Sequence, residues 1–423
     1  MVISRRSLLG VGAAAGALVA AGCADGSNDA AAGATLLWTW PGGLSETVLT
    51  DTAAHFAGAT KLTSSVIEGD YKTQLLDVLD KGTNVPDIAG IKGEDIASLL
   101  PRADRFVDLA TLGAADVQDE YLRWKWQQGS TFDGRLVGFP IDIGPTAMFY
   151  RADLFKKAGL PDSPARVNAT MATWTSFLET GRKLVKAVPG VHLLASGTQV
   201  FGIRMSQSTK RFVDESNHFV GDQQHVRTAW DCAVRVGEWG LSAKVQSDTD
   251  DWAPSIAEGK FAVELGAAWH ALDIQQAAPR TTGQWRVAAG PAAGANSGGS
   301  FLAIPATAPD PEQSFGIIRW LLSPENQARA FTDAALFPST PSAYAMPAMT
   351  QPEAFFGGQR TVEVFGASAQ KAPRVYEAPS DGAIFQIYAK ELEAVENGTT
   401  PAAEGWRSAV SKGRSLATSL GVN

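Results

Sequence analysis

Short apolar runs alternate with stretches of helical periodicity over the first part of the chain after residue 34. The alternation predicts strands at 35–40, 62–67 and 87–91, with a helix over 71–81 between the last two and another helix that starts after Ser45. Strands that alternate with helices form βαβ units, which build a mainly parallel sheet covered by helices on both faces. The chain is therefore predicted to be an α/β protein.

The mixture of strands and helices continues beyond this first part. Asp133-Gly134, flanked by apolar residues, predicts a tight hairpin turn, because glycine adopts a positive φ without steric cost. The apolar run 147–151 predicts a further strand, and 200–205 is also strand-like. An amphipathic pattern over 222–240 predicts a long helix, and the C-terminal part of the chain is mostly helical.

The N-terminus has the form of an export signal. Paired arginines at 5–6 precede an apolar stretch at 8–21, which is shorter than the ~20 residues that a membrane-spanning helix needs. Cys23 follows where a bacterial lipoprotein is cleaved and acylated. These features predict a twin-arginine signal peptide over 1–22, and a lipidated Cys23 with a flexible spacer over 23–34. The mature protein is therefore expected at the cell membrane, lipid-anchored on the extracytoplasmic face.

The charge of the chain limits its partners. A formal net charge of −8 argues against nucleic acid or an anionic membrane surface, because both need clustered Lys and Arg. Membrane contact is therefore expected through the lipid anchor only. The histidines are scattered without nearby ligands at a suitable spacing, so no metal site and no cofactor is predicted. Besides Cys23 the chain has only Cys232, which is predicted to be a small buried thiol.

Motifs of known catalytic machinery are missing from the sequence. It has no nucleophile elbow, no His-Glu metalloprotease motif and no Gly-rich phosphate loop ending in Lys. Carboxylates are numerous, as in any acidic protein, and nothing singles out two of them as the acid and base of a glycosidase. Counting residues therefore leaves a glycoside hydrolase open.

Several short blocks follow one another in a characteristic order and spacing across almost the whole mature chain. They are Trp38-Thr39-Trp40, Val85-Pro86-Asp87-Ile88, Asp133-Gly134-Arg135-Leu136-Val137-Gly138-Phe139-Pro140, Phe149-Tyr150-Arg151, Glu258-Gly259-Lys260-Phe261-Ala262, Gly298-Gly299-Ser300 and Arg319-Trp320-Leu321. In this order the chain resembles extracellular solute-binding protein family 1, the substrate-binding lipoproteins of ABC sugar importers, which include maltose-binding protein.

This resemblance implies a two-lobed, periplasmic-binding-protein-like clamp, in which each lobe is a doubly wound sheet and the ligand cleft lies between the lobes. The implied N-terminal lobe comprises 35–143 plus 290–348, and the C-terminal lobe comprises 144–289 plus 349–423. Open α/β sheets bind ligands outside the carboxyl ends of their strands, so the candidate site residues are those where strands leave the sheets.

The resemblance also implies a sugar ligand. A sugar presents hydroxyls at its edge and C–H groups on its faces, so its site needs flat aromatic rings and short polar groups. Twelve tryptophans supply such rings. Mapping the family pattern onto this sequence gives the following candidate ligand-binding residues: Trp40, Glu46, Asp142, Trp269, Gly299, Ser300, Arg374 and Phe385. Trp269 is the expected stacking platform.

The implied function is that of an ABC-transporter substrate-binding protein, not an enzyme. It would capture a mono- or oligosaccharide outside the cell as a monomer and deliver it to the membrane subunits of an ABC permease. The same fold could instead hold glycerol phosphate, which needs several cations in the cleft, or a polyamine, which needs several acids. From other classes, a secreted glycoside hydrolase and an adhesive surface lipoprotein are the alternatives.

Overall fold

The computed structural model describes residues 33–247 and 249–423. The predicted signal peptide, the lipidation site at Cys23 and nearly all of the spacer lie outside the described residues. The strands are β1 (Ala34–Thr39), β2 (Lys61–Val66), β3 (Ile88–Lys92), β4 (Phe139–Pro140), β5 (Asp142–Ile143), β6 (Thr146–Arg151), β7 (Val263–Ala267), β8 (Trp285–Ala288), β9 (Ser300–Ala303) and β10 (Phe337–Pro338).

The α-helices are α1 (Glu46–His55), α2 (Tyr71–Lys81), α3 (Ile96–Leu99), α4 (Arg123–Gln128), α5 (Ala152–Lys157), α6 (Pro164–Thr170), α7 (Trp174–Ala187), α8 (Gly197–Ser206), α9 (Gln224–Glu238), α10 (Trp252–Glu258), α11 (His270–Ala277), α12 (Pro311–Leu321), α13 (Pro324–Ala334), α14 (Thr361–Lys371), α15 (Asp381–Glu396) and α16 (Ala402–Ser419). Short 3-10 helices lie at Leu100–Arg105, Leu109–Leu112, Ala114–Glu120, Pro279–Thr281, Pro341–Ala345 and Ala354–Phe356.

The sheet of the first lobe has the strand order β2-β1-β3-β9-β4. β1 pairs in parallel with β2 and β3, as the βαβ pattern predicts, whereas β9 pairs antiparallel with both β3 and β4. β9 returns to this sheet from a distant part of the chain, so its direction could not follow from the local alternation. Leu37 and Ile88 lie in the core beneath the sheet, both fully buried.

The sheet of the second lobe has the order β7-β6-β8, and all three strands pair antiparallel. Two isolated parallel bridges lie beside this sheet, one between His192 and Phe261 and one between Leu194 and Ser242. The two sheets and the surrounding helices give the chain the two-lobed α/β architecture that the family resemblance implies, and this prediction is confirmed.

The connection between the lobes is a packed set of crossing segments. β5 pairs antiparallel with β10, and next to β5 the amide of Gly144 donates to Asn296 Oδ1 at 2.8 Å. The amide of Ser297 donates back to the carbonyl of Gly144 at 2.8 Å. A Cβ at Gly144 would lie 1.8 Å from the carbonyl oxygen of Ser297, so only glycine allows these two segments to approach so closely.

The strands fix where the chain passes between the lobes. β4 and β9 lie in the first sheet, while β6 and β8 lie in the second, so the chain crosses at 141–145 and again at 289–299. After β10, Ala343 and Met349 pack in the same hydrophobic cluster as Phe149 and Trp285 of the second lobe. The lobe limits 35–143 plus 290–348 and 144–289 plus 349–423 stay a proposal.

Local signals in the sequence set several element boundaries. α2 occupies the predicted range, and its end is the left-handed Gly82. Ser45 caps α1 as predicted, accepting from the amide of Val48. The strand-like interpretation of 200–205 is wrong, because these residues lie in α8. A short apolar run cannot be assigned from its pattern when a helix is buried on several sides, and Phe201 here stacks on other aromatic rings of the core.

Candidate functional site

A cavity of about 1100 Å³, measured out to its open mouth, lies between the two lobes. The first lobe contributes the end of β3 and the start of α3, at 93–97, together with Gln128 at the end of α4. The second lobe contributes α8, the end of β7 and the start of α15, and the crossing segment 296–298 forms the floor. The cavity therefore lies where a ligand would contact both lobes and the connection between them.

Trp269 forms an aromatic wall of this cleft. β7 ends at Ala267 and α11 begins at His270, so Trp269 stands in the short connection at the strand's carboxyl end. Its indole Nε1 donates to the carbonyl of Ser297 at 3.3 Å, and its ring makes an edge contact with His270 at a centroid distance of 6.0 Å. These contacts hold the half-buried ring in place and leave part of its surface to the cleft.

Gln199 lines the same cleft, but its polar atoms are buried. Its Nε2 donates to Glu264 Oε2 at 2.5 Å and to Ser247 Oγ at 3.2 Å. Gln199 Oε1 has no donor in the described part of the protein, and a buried acceptor without a donor is costly.

A buried network beneath Gln199 fixes this wall. Glu264 is fully buried and also accepts from Trp252 Nε1 at 3.2 Å and from His270 Nε2 at 3.1 Å. His270 Nδ1 lies 3.0 Å from Asp273 Oδ2. Burial lowers the pKa of His270, but its hydrogen bonds to Asp273 and Glu264 more than offset this and raise the pKa to about 9. The imidazolium therefore balances the Glu264 carboxylate at neutral pH.

Arg211 and Asp381 shape the opposite end of the second-lobe wall. Arg211 Nη2 pairs with Glu377 Oε1 at 2.5 Å, while its Nε is buried and no described group accepts from it. Asp381 accepts from the amides of Phe212, Val213 and Ala378 at 2.7 to 3.1 Å. These bonds fasten the Arg211 loop to the start of α15. The packed wall thus contains one buried donor and one buried acceptor that lack partners in the described residues.

Burial raises the pKa of Asp381 to about 6, against the backbone hydrogen bonds and Arg211, which lower it. Its carboxylate is therefore ionised above that pH and committed to three backbone donors. Asp381 lines the cleft, but its two carboxylate oxygens accept hydrogen bonds from backbone amides that hold the wall together.

Lys125 lies behind the first-lobe wall. The side chain is fully buried, with Nζ over the ring of Phe301 at 3.6 Å and donating to Gln128 Oε1 at 3.1 Å. Burial lowers its pKa to about 7, and the nearby carboxylates, Asp142 first among them, oppose the shift. Lys125 thus orients Gln128 at the cleft surface and lies near Asp142 of β5, where the chain crosses between the lobes.

The predicted site residues fall into three groups in the structure. Trp269 and Phe385 line the cleft together. Asp142 and Gly299 lie behind its surface near Lys125, since a Cβ at Gly299 would be 3.1 Å from Lys125 Nζ. The other four residues are not part of the lining. Trp40 is buried and packs edge-on against Tyr71, and Ser300 is buried in β9. Glu46, at the start of α1, and Arg374 are exposed. Their roles in ligand binding stay predictions.

Most of the lining was not predicted from the sequence, and Gln199, Arg211 and Asp381 are examples. Gln199 precedes the segment 200–205, whose strand-like pattern concealed the helix α8 that carries both. For Asp381 a signal existed, since Ser380-Asp381-Gly382 before an apolar periodic run is typical of a helix start. For Arg211 the sequence holds no comparable signal.

Within residues 33–247 and 249–423, no group of three or more His, Cys, Asp or Glu is arranged to hold a metal ion. Across these same residues no helix combines the length and the apolar character that crossing a membrane requires. Cys232 is buried as predicted, and burial raises the pKa of its thiol.

Two α/β lobes joined by crossing segments, with a polar and aromatic cleft between them, define the class of solute-binding clamps. The chain belongs to the bacterial extracellular solute-binding proteins, whose family model matches residues 51–357. Members of this family are extracellular binding proteins, so an extracytoplasmic location fits this chain.

Individual proteins agree with this assignment. The chain is 23% identical over 286 residues to the lactose-binding protein of Rhizobium radiobacter, covering 64% of each chain. It is 27% identical over 214 residues to the arabinooligosaccharide-binding protein of Bacillus subtilis (strain 168), covering 48% of this chain and 47% of that one. The match therefore spans less than two thirds of either curated relative.

A solved structure matches over a longer stretch. The crystal structure of an extracellular solute-binding protein of family 1 superposes with a TM-score of 0.85 at 28% identity, covering 91% of this chain and 100% of that chain. The family resemblance stated from the sequence is thereby confirmed.

Proposed function

We propose that this protein is the substrate-binding component of an ABC transporter that captures a mono- or oligosaccharide outside the cell and delivers it to a membrane permease. The observation that carries the proposal is the lining of the cleft, where the rings of Trp269 and Phe385 stand among amide side chains such as Gln128 and Gln386. A sugar hydroxyl both donates and accepts, so it can bond to such amides while the C–H face of the sugar packs on an indole.

The curated relatives support the same ligand class. The proteins that this chain resembles are named for binding lactose and arabino-oligosaccharides. Transfer of that ligand class to this chain rests on the chemistry of the cleft described above.

The charges of the cleft do not favour the other binding partners. Glycerol phosphate needs several cations, but Arg211 is the only Lys or Arg in the described lining, and it is paired with Glu377. A polyamine needs free carboxylates, but Asp381 is committed to backbone amides, and Glu94 also has a partner. A neutral, hydroxyl-rich ligand is left as the best match.

The bonds that the cleft carboxylates already make also support a binding function without catalysis. A glycosidase needs one carboxylic acid and one carboxylate that are free to act on the scissile bond. Both oxygens of Asp381 accept from backbone amides, and Glu377 is held in an ion pair with Arg211, so these two carboxylates already have structural partners. We propose that the ligand is released unaltered and that the protein acts as a monomer, held to the membrane by a lipid on Cys23.

A thermal-shift screen of the purified protein tests this function. The panel contains galactose, lactose, arabinose, arabino-oligosaccharides and maltose, with glycerol 3-phosphate and spermidine as the charged alternatives. A sugar at 100 times its Kd stabilises the folded protein by about 2.7 kcal/mol, which raises the Tm by several degrees. A shift with the charged compounds and none with any sugar would contradict the proposal, as would the release of reducing ends during incubation.

Trp269→Ala locates the binding site. This variant should lose the sugar-induced shift while its unliganded Tm stays close to that of the wild type, because the indole is only half buried. Trp406→Ala is the matched control, since that ring is not part of the cleft lining and packs edge-on against Trp230. The control should lower the unliganded Tm and keep the sugar-induced shift.

A further inference from the structure

Phe132 is an exposed aromatic residue on a hairpin of the first lobe. It is 81% exposed, in a described chain whose other exposed large hydrophobic residues are Val66 and Leu420. The hairpin is well fixed, because the amide of Thr131 donates to the carbonyl of Arg135 at 2.9 Å. The Arg135 guanidinium in turn donates to two carbonyls of the first lobe, at 3.1 Å each. Phe132 is therefore held in the solvent by an ordered backbone.

The ring of Phe132 faces an aromatic residue of the other lobe. Its centroid lies 6.3 Å from that of Tyr376, with 38° between the ring planes. Tyr376 is fixed to the second lobe, because its amide donates to the carbonyl of Thr209 at 3.0 Å and it bridges to Lys210. The two rings thus form a tilted pair, one from each lobe. A single exposed Phe needs no explanation, but a pair that spans two lobes does.

Both rings adjoin the lining of the cleft along the chain. Gln128 lines the cleft, and the hairpin that carries Phe132 begins two residues later at Ser130. Glu377, the neighbour of Tyr376, lines the cleft from the other side. The two rings therefore follow closely, along the chain, on side chains that line the cavity from each lobe.

We propose that Phe132 and Tyr376 form an outer binding position for a further sugar ring, so that the ligand is an oligosaccharide of two or more rings. This inference rests on the proposed function and narrows its ligand class. One ring of the ligand occupies the cleft beside Trp269, and the next lies with its C–H face on the exposed surface of Phe132.

The test compares ligand lengths by isothermal titration calorimetry. Galactose is paired with lactose, and arabinose with arabinotriose, on the wild type and on Phe132→Ala. The variant should bind the two- or three-ring sugar about tenfold more weakly, while its affinity for the single-ring sugar changes less than twofold. Tyr376→Ala should show the same dependence on length. Leu420→Ala, an exposed apolar residue outside the cleft, is the control and should match the wild type.

The possible outcomes separate this inference from the function on which it rests. Equal losses for short and long sugars would overturn it, because they would indicate an effect on lobe closure. Unchanged affinities, or a wild type that binds only single-ring sugars, would also overturn it and leave the proposed function standing. A wild type that binds no sugar refutes the proposed function itself, and the outer position with it.

Discussion

The buried pair of His270 and Glu264 should make the stability of the protein depend on pH in a defined way. The folded pKa of His270 is about 9, against an ordinary value of 6.5. A group whose pKa is raised by folding stabilises the fold fully below its unfolded pKa, and this contribution is lost as the pH rises through the folded value. The window therefore runs from about pH 6.5 to about pH 9. At 1.36 kcal/mol per pH unit, the contribution amounts to about 3 kcal/mol.

Lys125 has the opposite effect in an overlapping range. Its folded pKa of about 7 lies below its ordinary 10.5, so the unfolded chain binds the proton more tightly above pH 7. Deprotonation then favours the fold as the pH rises from about 7 to about 10.5. The pH profile of the wild type alone therefore mixes two trends of opposite sign, and a matched variant is needed to isolate His270.

The measurement is the free energy of unfolding in urea, followed by tryptophan fluorescence, for the wild type and His270→Gln from pH 5.5 to 10. Glutamine is neutral throughout and can still donate to Glu264. The variant should be clearly less stable at pH 5.5, and the difference from the wild type should shrink by about 3 kcal/mol by pH 10. The contribution of Lys125 cancels in this difference.

His218→Gln provides the control, because the His218 side chain is 60% exposed beside Asp214. This variant should not show the change of about 3 kcal/mol, because folding leaves its side chain largely in solvent. If the difference for His270→Gln is flat, the buried imidazole does not carry the charge inferred for it. The account of how the Gln199 wall is held would then have to be abandoned.

Two further predictions concern the hinge and the anchor. Gly144→Ala places a methyl group 1.8 Å from the carbonyl oxygen of Ser297, so this variant should have a lower Tm and bind sugar more weakly. Gly316→Ala is the control, because its methyl group would lie in open space on α12, and it should stabilise the folded protein by about 0.5–1 kcal/mol. An unchanged Tm and affinity for Gly144→Ala, measured by thermal shift and calorimetry, would show that the crossing segments are not tightly coupled. Cys23→Ser should move the protein from the membrane fraction to the soluble fraction of cells, and continued sedimentation with membranes would exclude the lipid anchor.

The sequence predicts the parts of the fold that depend on local signals. The range of α2 follows from its periodicity and from Gly82, which ends the helix in the left-handed conformation. The start of α1 follows from Ser45, whose side chain satisfies a free amide. The direction of β9 does not follow from such signals, because its partners β3 and β4 lie far away in the chain.

The residues of the candidate site likewise differ in whether the sequence could predict them. Trp269 could be placed in advance, because the family pattern that the sequence resembles has a stacking tryptophan at this position. Gln199 and Arg211 could not, because what distinguishes them is an atom left without a partner after folding. Which atom keeps no partner depends on the fold, since Glu264 accepts from Gln199 Nε2 and Glu377 pairs with Arg211 Nη2. A sequence shows which polar groups are available, whereas only the packed structure shows which of them are left without a partner.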